Sequence, residues 1–138
     1  MEYGKIAIRR AQEAGVKVLV QGSGNARNIP DGFSREEAVG QLAALCRKLA
    51  EYAAGYDVCI VIEPLQSSET NFINTVREGT EIAEAVNHPN LGVLADFFHM
   101  LRENEDAGAL SIECKWENMD NQLAASVAVI KEQIHKSY

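Results

Sequence analysis

An α/β fold built on a parallel sheet is what this 138-residue sequence predicts, and three observations predict it. Short β-branched runs bounded by turn residues recur as VKVLVQG, DVCIVIE, LGVLADF and ALSIEC. Segments with helical spacing of apolar residues separate the first three, an alternation that calls for helical crossovers between parallel strands. Three of the runs also close on or next to an acid: Glu63, Asp96 and Glu113.

Each element has a local cause. The opening stretch to about Ala14 reads as a helix whose inner stripe is Ile6, Ala7, Arg10, Ala11 and Ala14, and Gly15 ends it. Residues 16 to 22 form the first strand. The glycine-rich stretch that follows, GSGNARNIPDGF, reads as a loop. Ser34 and Glu37 have capping-box spacing ahead of AVGQLAALCRKLAEYA, which predicts a helix stopped by Gly55. The second strand runs from Asp57 to Glu63, and Pro64 prevents its normal continuation. A helix over about Asn71 to Val86 follows, with Ile73, Val76, Ile82, Ala83 and Val86 inward, and Asn87-His88-Pro89 terminates it. The third strand covers residues 91 to 97. A polar link of about a dozen residues leads to a fourth strand at Ala109 to Cys114, the practical minimum for a parallel crossover. A final amphipathic helix, starting at Asn118 or Asp120, carries Leu123, Val127, Ile130 and Ile134.

Composition narrows the function classes. A chain with 46% hydrophobic residues suits a single packed domain. Thirteen basic against twenty acidic residues give a formal charge of -7 with no basic cluster, which argues against nucleic acid and anionic membrane as partners. No apolar run approaches the roughly 18 residues that span a bilayer, and the N-terminus lacks a secretion-signal core, so a cytoplasmic location is expected. Cys46, Cys59 and Cys114 are scattered and read as small core or near-core residues in a reducing compartment.

The strand-end acids carry the chemistry. Strand alternation puts Cys59, Val61 and Glu63 on one face, Leu94 with Asp96, and Ser111 with Glu113. Acids at the C-terminal rim of parallel strands converge on one place, and oxygen ligands suit a hard divalent cation such as manganese, magnesium or cobalt. A lone acid at a strand end is as readily a helix N-cap, so the three carry weight together and not singly. Such a centre can bind adjacent oxygens of a polyhydroxy carbonyl compound, a sugar or polyol, and Glu63 with Glu113 form the natural pair for moving a proton beside the carbonyl. His99, three residues past Asp96, adds a nitrogen ligand or a substrate hydrogen bond. Gly22 to Arg27 can present backbone N–H groups to an anion, with Arg27 adding charge, although it matches neither G-x-G-x-x-G nor a P-loop and a plain turn is the preferred reading. Tyr52 and Trp116 can line a sugar-binding surface, but packing is the preferred reading for both.

Together IEPLQSSETNFINT, NLGVLADFFHM and LSIECKWEN resemble the xylose-isomerase-like TIM-barrel family of sugar isomerases and epimerases, to which the tagatose and psicose 3-epimerases belong. VQGSGNARNIPDGFSREEA is similar to that family's third strand and following loop. The resemblance implies barrel strands three, four and five in order, then the eighth, with no evident counterpart of the sixth and seventh. It further implies that Glu63 and Glu113 are the acid/base pair and metal ligands, Asp96 a further ligand, and His99 a substrate contact. The family's remaining ligand, a histidine from strand six, has no evident counterpart here. About eight strands are needed to close a barrel, so the expectation is a half-barrel of about four parallel strands completed by a homodimer. The competing expectation is a non-catalytic half-barrel scaffold or binding protein.

Overall fold

A computed structural model describes residues 1–105 of the chain. Helix α1 (Glu2–Glu13) leads into β1 (Val18–Gln21), a short α2 (Gly24–Arg27) and the long α3 (Arg35–Ala54). Then come β2 (Cys59–Ile62), α4 (Val76–Val86), β3 (Leu91–Val93) and α5 (Phe97–Arg102). The three strands form one parallel sheet in the order β1-β2-β3, with α3 and α4 as its crossovers. The predicted fourth strand and last helix lie outside the described residues.

The helix boundaries follow from local chemistry. The α1 end is a Schellman turn in which Gly15 takes φ 73 and Val16 N–H bonds the Ala11 carbonyl at 2.8 Å. Its inner stripe is rotated from the predicted one: Ile8 and Ala11 are buried, whereas Ala7, Arg10 and Ala14 are exposed. Ser34 caps α3 by accepting the Glu37 N–H, as its spacing predicts. Helix α4 starts at Val76 and not Asn71, because asparagines upstream bond the main chain instead of joining a helix. Asn74 Nδ2 donates to the Leu65 and Thr70 carbonyls at 2.8 Å each, and Asn71 Nδ2 donates to Ile29 O at 2.9 Å. Ile73 turns at φ 61, a conformation costly for a β-branched residue, and its complete burial holds it there. Thr75 and Glu78 then close a reciprocal capping box.

Parallel register sorts the side chains. Leu19, Ile60 and Leu91 align, as do Gln21, Ile62 and Val93, and this face packs on the helices. The core unites Ile8 of α1, Cys46 and Ala50 of α3, Ile62 of β2 and Ile82 and Val86 of α4, all nearly solvent-free. Each large aliphatic there contributes about 1.5–3 kcal/mol. The opposite face of β1 is open, with Val18 and Val20 about half exposed at 50% and 52%. Tyr52 bonds Arg9 Nη1 and Tyr56 Oη between α1 and α3, a packing role remote from the strand ends. Cys46 is buried, and burial pushes its thiol up to about 11.

Candidate active site

The C-terminal rim of the sheet brings three predicted residues together. Each of Glu63, Asp96 and His99 offers a ligand atom, and those atoms lie within 4.8 Å of one another. Glu63 follows β2 directly, and Asp96 lies three residues beyond β3. Third comes His99, set in the first turn of α5 and only 9% exposed. Glu113 lies outside the described residues.

Asp96 performs two jobs. Its Oδ1 accepts the Phe98 N–H at 2.8 Å as the N-cap of α5, which is why the predicted third strand stops early. Its Oδ2 faces His99 Nε2 at 4.0 Å. Capping thus orients one oxygen and leaves the other toward the cluster.

His99 is oriented by the loop after β2. Its Nδ1 accepts the Gln66 N–H at 3.2 Å, so in the neutral ring the proton resides on Nε2. That tautomer presents a donor toward the acids. His99 therefore suits a hydrogen bond to a substrate oxygen or a carboxylate, which is the role the resemblance implies, better than a nitrogen ligand.

Glu63 sits in an unusual cradle. In the sheet register Gly22 follows Gln21 as Glu63 follows its partner Ile62. A Cβ on Gly22 would lie 1.9 Å from Glu63 Oε2, so any other residue there would push the carboxylate from this position. Burial raises the Glu63 pKa; Asp96 and Glu69 push it further up, while His99 and Arg27 pull it down. No side chain or amide hydrogen-bonds the Glu63 carboxylate among the described residues. Electrostatic crowding of unpaired oxygens fits a cation well, and the hard carboxylate donors of Glu63 and Asp96 suit manganese, magnesium or cobalt.

Arg27 occupies a different position from that of a free anion-binding cation. It ends α2, a helical turn where the sequence predicts a loop. Its Nη2 donates to Glu63 O at 2.5 Å and its Nη1 to Gln21 O at 3.4 Å. The guanidinium thus ties the ends of β1 and β2 together behind the carboxylate, and burial lowers its pKa. Glu69 was missed at the level of sequence, and Gly22 was read there as part of an anion-binding stretch and not as the cradle of Glu63. Glu69 lies 3.9 Å from His99 Nδ1 and accepts from Gln66 Nε2 at 2.6 Å. Aligning the strand ends pairwise would have exposed Gly22; nothing local marks Glu69.

Among the described residues no helix is long and apolar enough to cross a membrane. The chain is 38% identical over 76 residues to an L-ribulose 3-epimerase of Methylomonas sp., an alignment covering 54% of this chain and 26% of that protein. It is 41% identical over 61 residues to a D-psicose 3-epimerase of Ruminiclostridium cellulolyticum, covering 44% and 20%. The chain thus spans about a quarter or less of the curated relatives it matches. The fold superposes on the crystal structure of a family 2 AP endonuclease from Brucella melitensis with a TM-score of 0.68 at 24% identity, over 77% of this chain and 40% of that one. A family model, xylose isomerase-like TIM barrel, matches residues 1–134. An open three-stranded parallel sheet with its acids at the C-terminal rim is what part of such a barrel presents, and the chain belongs to the xylose isomerase-like TIM barrel family.

Proposed function

We propose that this chain carries the proton-transfer site of a metal-dependent ketose 3-epimerase. The convergence of Glu63, Asp96 and His99 at one rim supports the reading most directly, and the identity to ketose 3-epimerases supplies the substrate class. A divalent cation held by Glu63 and Asp96, with Glu113 as the further ligand that the resemblance implies, would acidify the C–H beside the ketose carbonyl. Glu63 removes the C3 proton and the electron pair moves to the carbonyl oxygen, giving an ene-diolate. Glu113 returns a proton to the opposite face of C3, which inverts that carbon with no net change in atoms. His99 donates its Nε2–H to a substrate oxygen. Arg27 supports the reaction by fixing the Glu63 main chain and lending positive charge beside the substrate.

The open face of β1, with Val18 and Val20 half exposed, supports assembly as a homodimer in which two half-barrels cover each other. Sedimentation at micromolar concentration checks it: a dimer is expected, and a monodisperse monomer refutes it. A non-catalytic sugar-binding half-barrel is the second reading, favoured by the lack of an evident counterpart of the family's strand-six histidine.

Incubation with D-psicose or L-ribulose and manganese in D2O separates the two. Deuterium appearing at C3 with wild type and not with Glu63→Gln supports the epimerase. Sugar binding without exchange supports the second reading.

A further inference from the structure

Three acceptors on α5 and the residues just after it close on main-chain donors of the segment linking β2 to α4 and of the first residue of α4. His99 Nδ1 takes the Gln66 N–H at 3.2 Å, and Glu103 Oε1 takes the very next amide, Ser67 N–H, at 2.6 Å. Glu105 holds the Val76 N–H, an orphan donor of the first turn of α4, at 3.0 and 3.2 Å. His99 and Glu103 stand four residues apart, and the Glu103 N–H bonds the His99 carbonyl at 3.1 Å, so imidazole and carboxylate move as one helical unit.

We propose that Glu103 is a positioning residue for His99: by holding the Ser67 amide it fixes the adjacent Gln66 N–H against Nδ1 and so selects the Nε2–H tautomer. The physical reason is the pairing of consecutive amides with two acceptors on one helix turn. With Ser67 N–H held by a carboxylate, the turn at Gln66 to Thr70 cannot rotate its Gln66 amide away from the ring. That turn is itself closed by Glu69 N–H to Gln66 O at 2.9 Å. Without Glu103 the imidazole loses its fixed acceptor role, and either nitrogen can carry the proton. The inference deepens the proposed site and rests on it for catalytic meaning, whereas the tautomer itself is measurable whether or not the protein turns over a sugar.

Long-range 1H–15N NMR of the full chain reads both nitrogens of each imidazole, with His99 assigned by the signal lost in His99→Gln. Wild type is expected to show Nε2 protonated and Nδ1 bare. In Glu103→Ala the ratio of the two tautomers should fall about three- to tenfold, the effect of losing one hydrogen bond, together with a shift of the Ser67 amide. Glu103→Gln keeps an oxygen acceptor and should restore most of the wild-type ratio. Three results overturn the proposal: a wild-type ring protonated on Nδ1, an unmoved tautomer in Glu103→Ala despite a shifted Ser67 amide, or an unmoved Ser67 amide. If Glu103→Ala does not fold, Glu103→Met, which keeps the side-chain bulk and lacks an oxygen acceptor, is read in its place with the same expected and overturning results. Absence of deuterium exchange into a ketose would count against the epimerase reading and leave this result standing.

Discussion

Replacing Gly22 by alanine tests the site through a single methyl group. The new Cβ would stand 1.9 Å from Glu63 Oε2 and 3.1 Å from its Cδ. Ordinary van der Waals contact begins near 3.4 Å, so the carboxylate must retreat by about 3.4 - 1.9 = 1.5 Å. Backbone strain does not enter, since Gly22 lies outside the left-handed region that the positive-φ glycines Gly15 and Gly32 occupy. Alanine restricts the unfolded chain, worth about 0.4–1 kcal/mol in favour of folding, which offsets part of the local crowding. Stability should therefore change little while the site changes much. A misplacement of about 1 Å in a catalytic group costs about 100-fold, or roughly 2.7 kcal/mol at 1.36 kcal/mol per tenfold. Manganese affinity by calorimetry and kcat/KM on D-psicose are the assays, with thermal unfolding as the control. A Gly22→Ala protein that folds normally and binds manganese within threefold of wild type would refute the reasoning, because Glu63 would then not need its cradle.

Three further outcomes follow from the same geometry. Glu63 has a raised pKa in the folded state, so its environment favours folding below its unfolded pKa, an advantage lost as pH rises through the folded value. Glu63→Gln should accordingly raise the metal-free Tm at neutral pH and abolish epimerisation; a lower Tm there would contradict the electrostatic account. Saturating manganese at about 100 times its Kd should stabilise wild type by about 2.7 kcal/mol. In Asp96→Asn, which keeps the Oδ1 cap for Phe98, most of that increment should vanish while the metal-free Tm stays within a few degrees. Gly40 is exposed inside α3 with nothing within 4 Å of an added Cβ, so Gly40→Ala should stabilise by about 0.5–1 kcal/mol and leave metal binding unchanged, as urea unfolding and calorimetry would check.

The sheet and its crossovers were legible because β-branched runs and helical spacing are local signals. Strand parity was legible too: Ile60 and Ile62 are buried against the helices, and Glu63 emerges on the other side. Legibility failed where distant partners decide. The start of α4 moved to Val76 because Asn71 and Asn74 found carbonyls on Ile29, Leu65 and Thr70. In α1 the buried stripe passes through Gly4 and Ile8, since a Cβ at Gly4 would meet Leu49 at 2.5 Å and the helix lies that close to α3. The state of the His99 ring depends on an amide 33 residues away, and no spacing rule encodes it.

The charges at the rim also distinguish this cluster from a fully solvated set of acids. Glu63, Asp96 and Glu69 bring three carboxylates within mutual influence, and the nearest permanent cation, Arg27, spends its Nη1 and Nη2 on the carbonyls of Gln21 and Glu63. A folded chain ordinarily relieves such crowding by turning a carboxylate outward or by pairing it. Here the first escape is limited by partial burial, and the second is absent for Glu63 among the described residues. The fold therefore sustains a local deficit of positive charge, with one carboxylate packed against a glycine whose replacement by a larger residue would displace it. Sites of this kind cost stability and persist where function uses them. A bound divalent cation would reverse the sign of that cost, drawing the Glu63 pKa back down and converting repulsion into ligation. Under the proposed function, the feature that destabilises the metal-free rim would supply the affinity for the cation, and the Tm gained on adding manganese and the Tm gained by Glu63→Gln should trace to the same carboxylate.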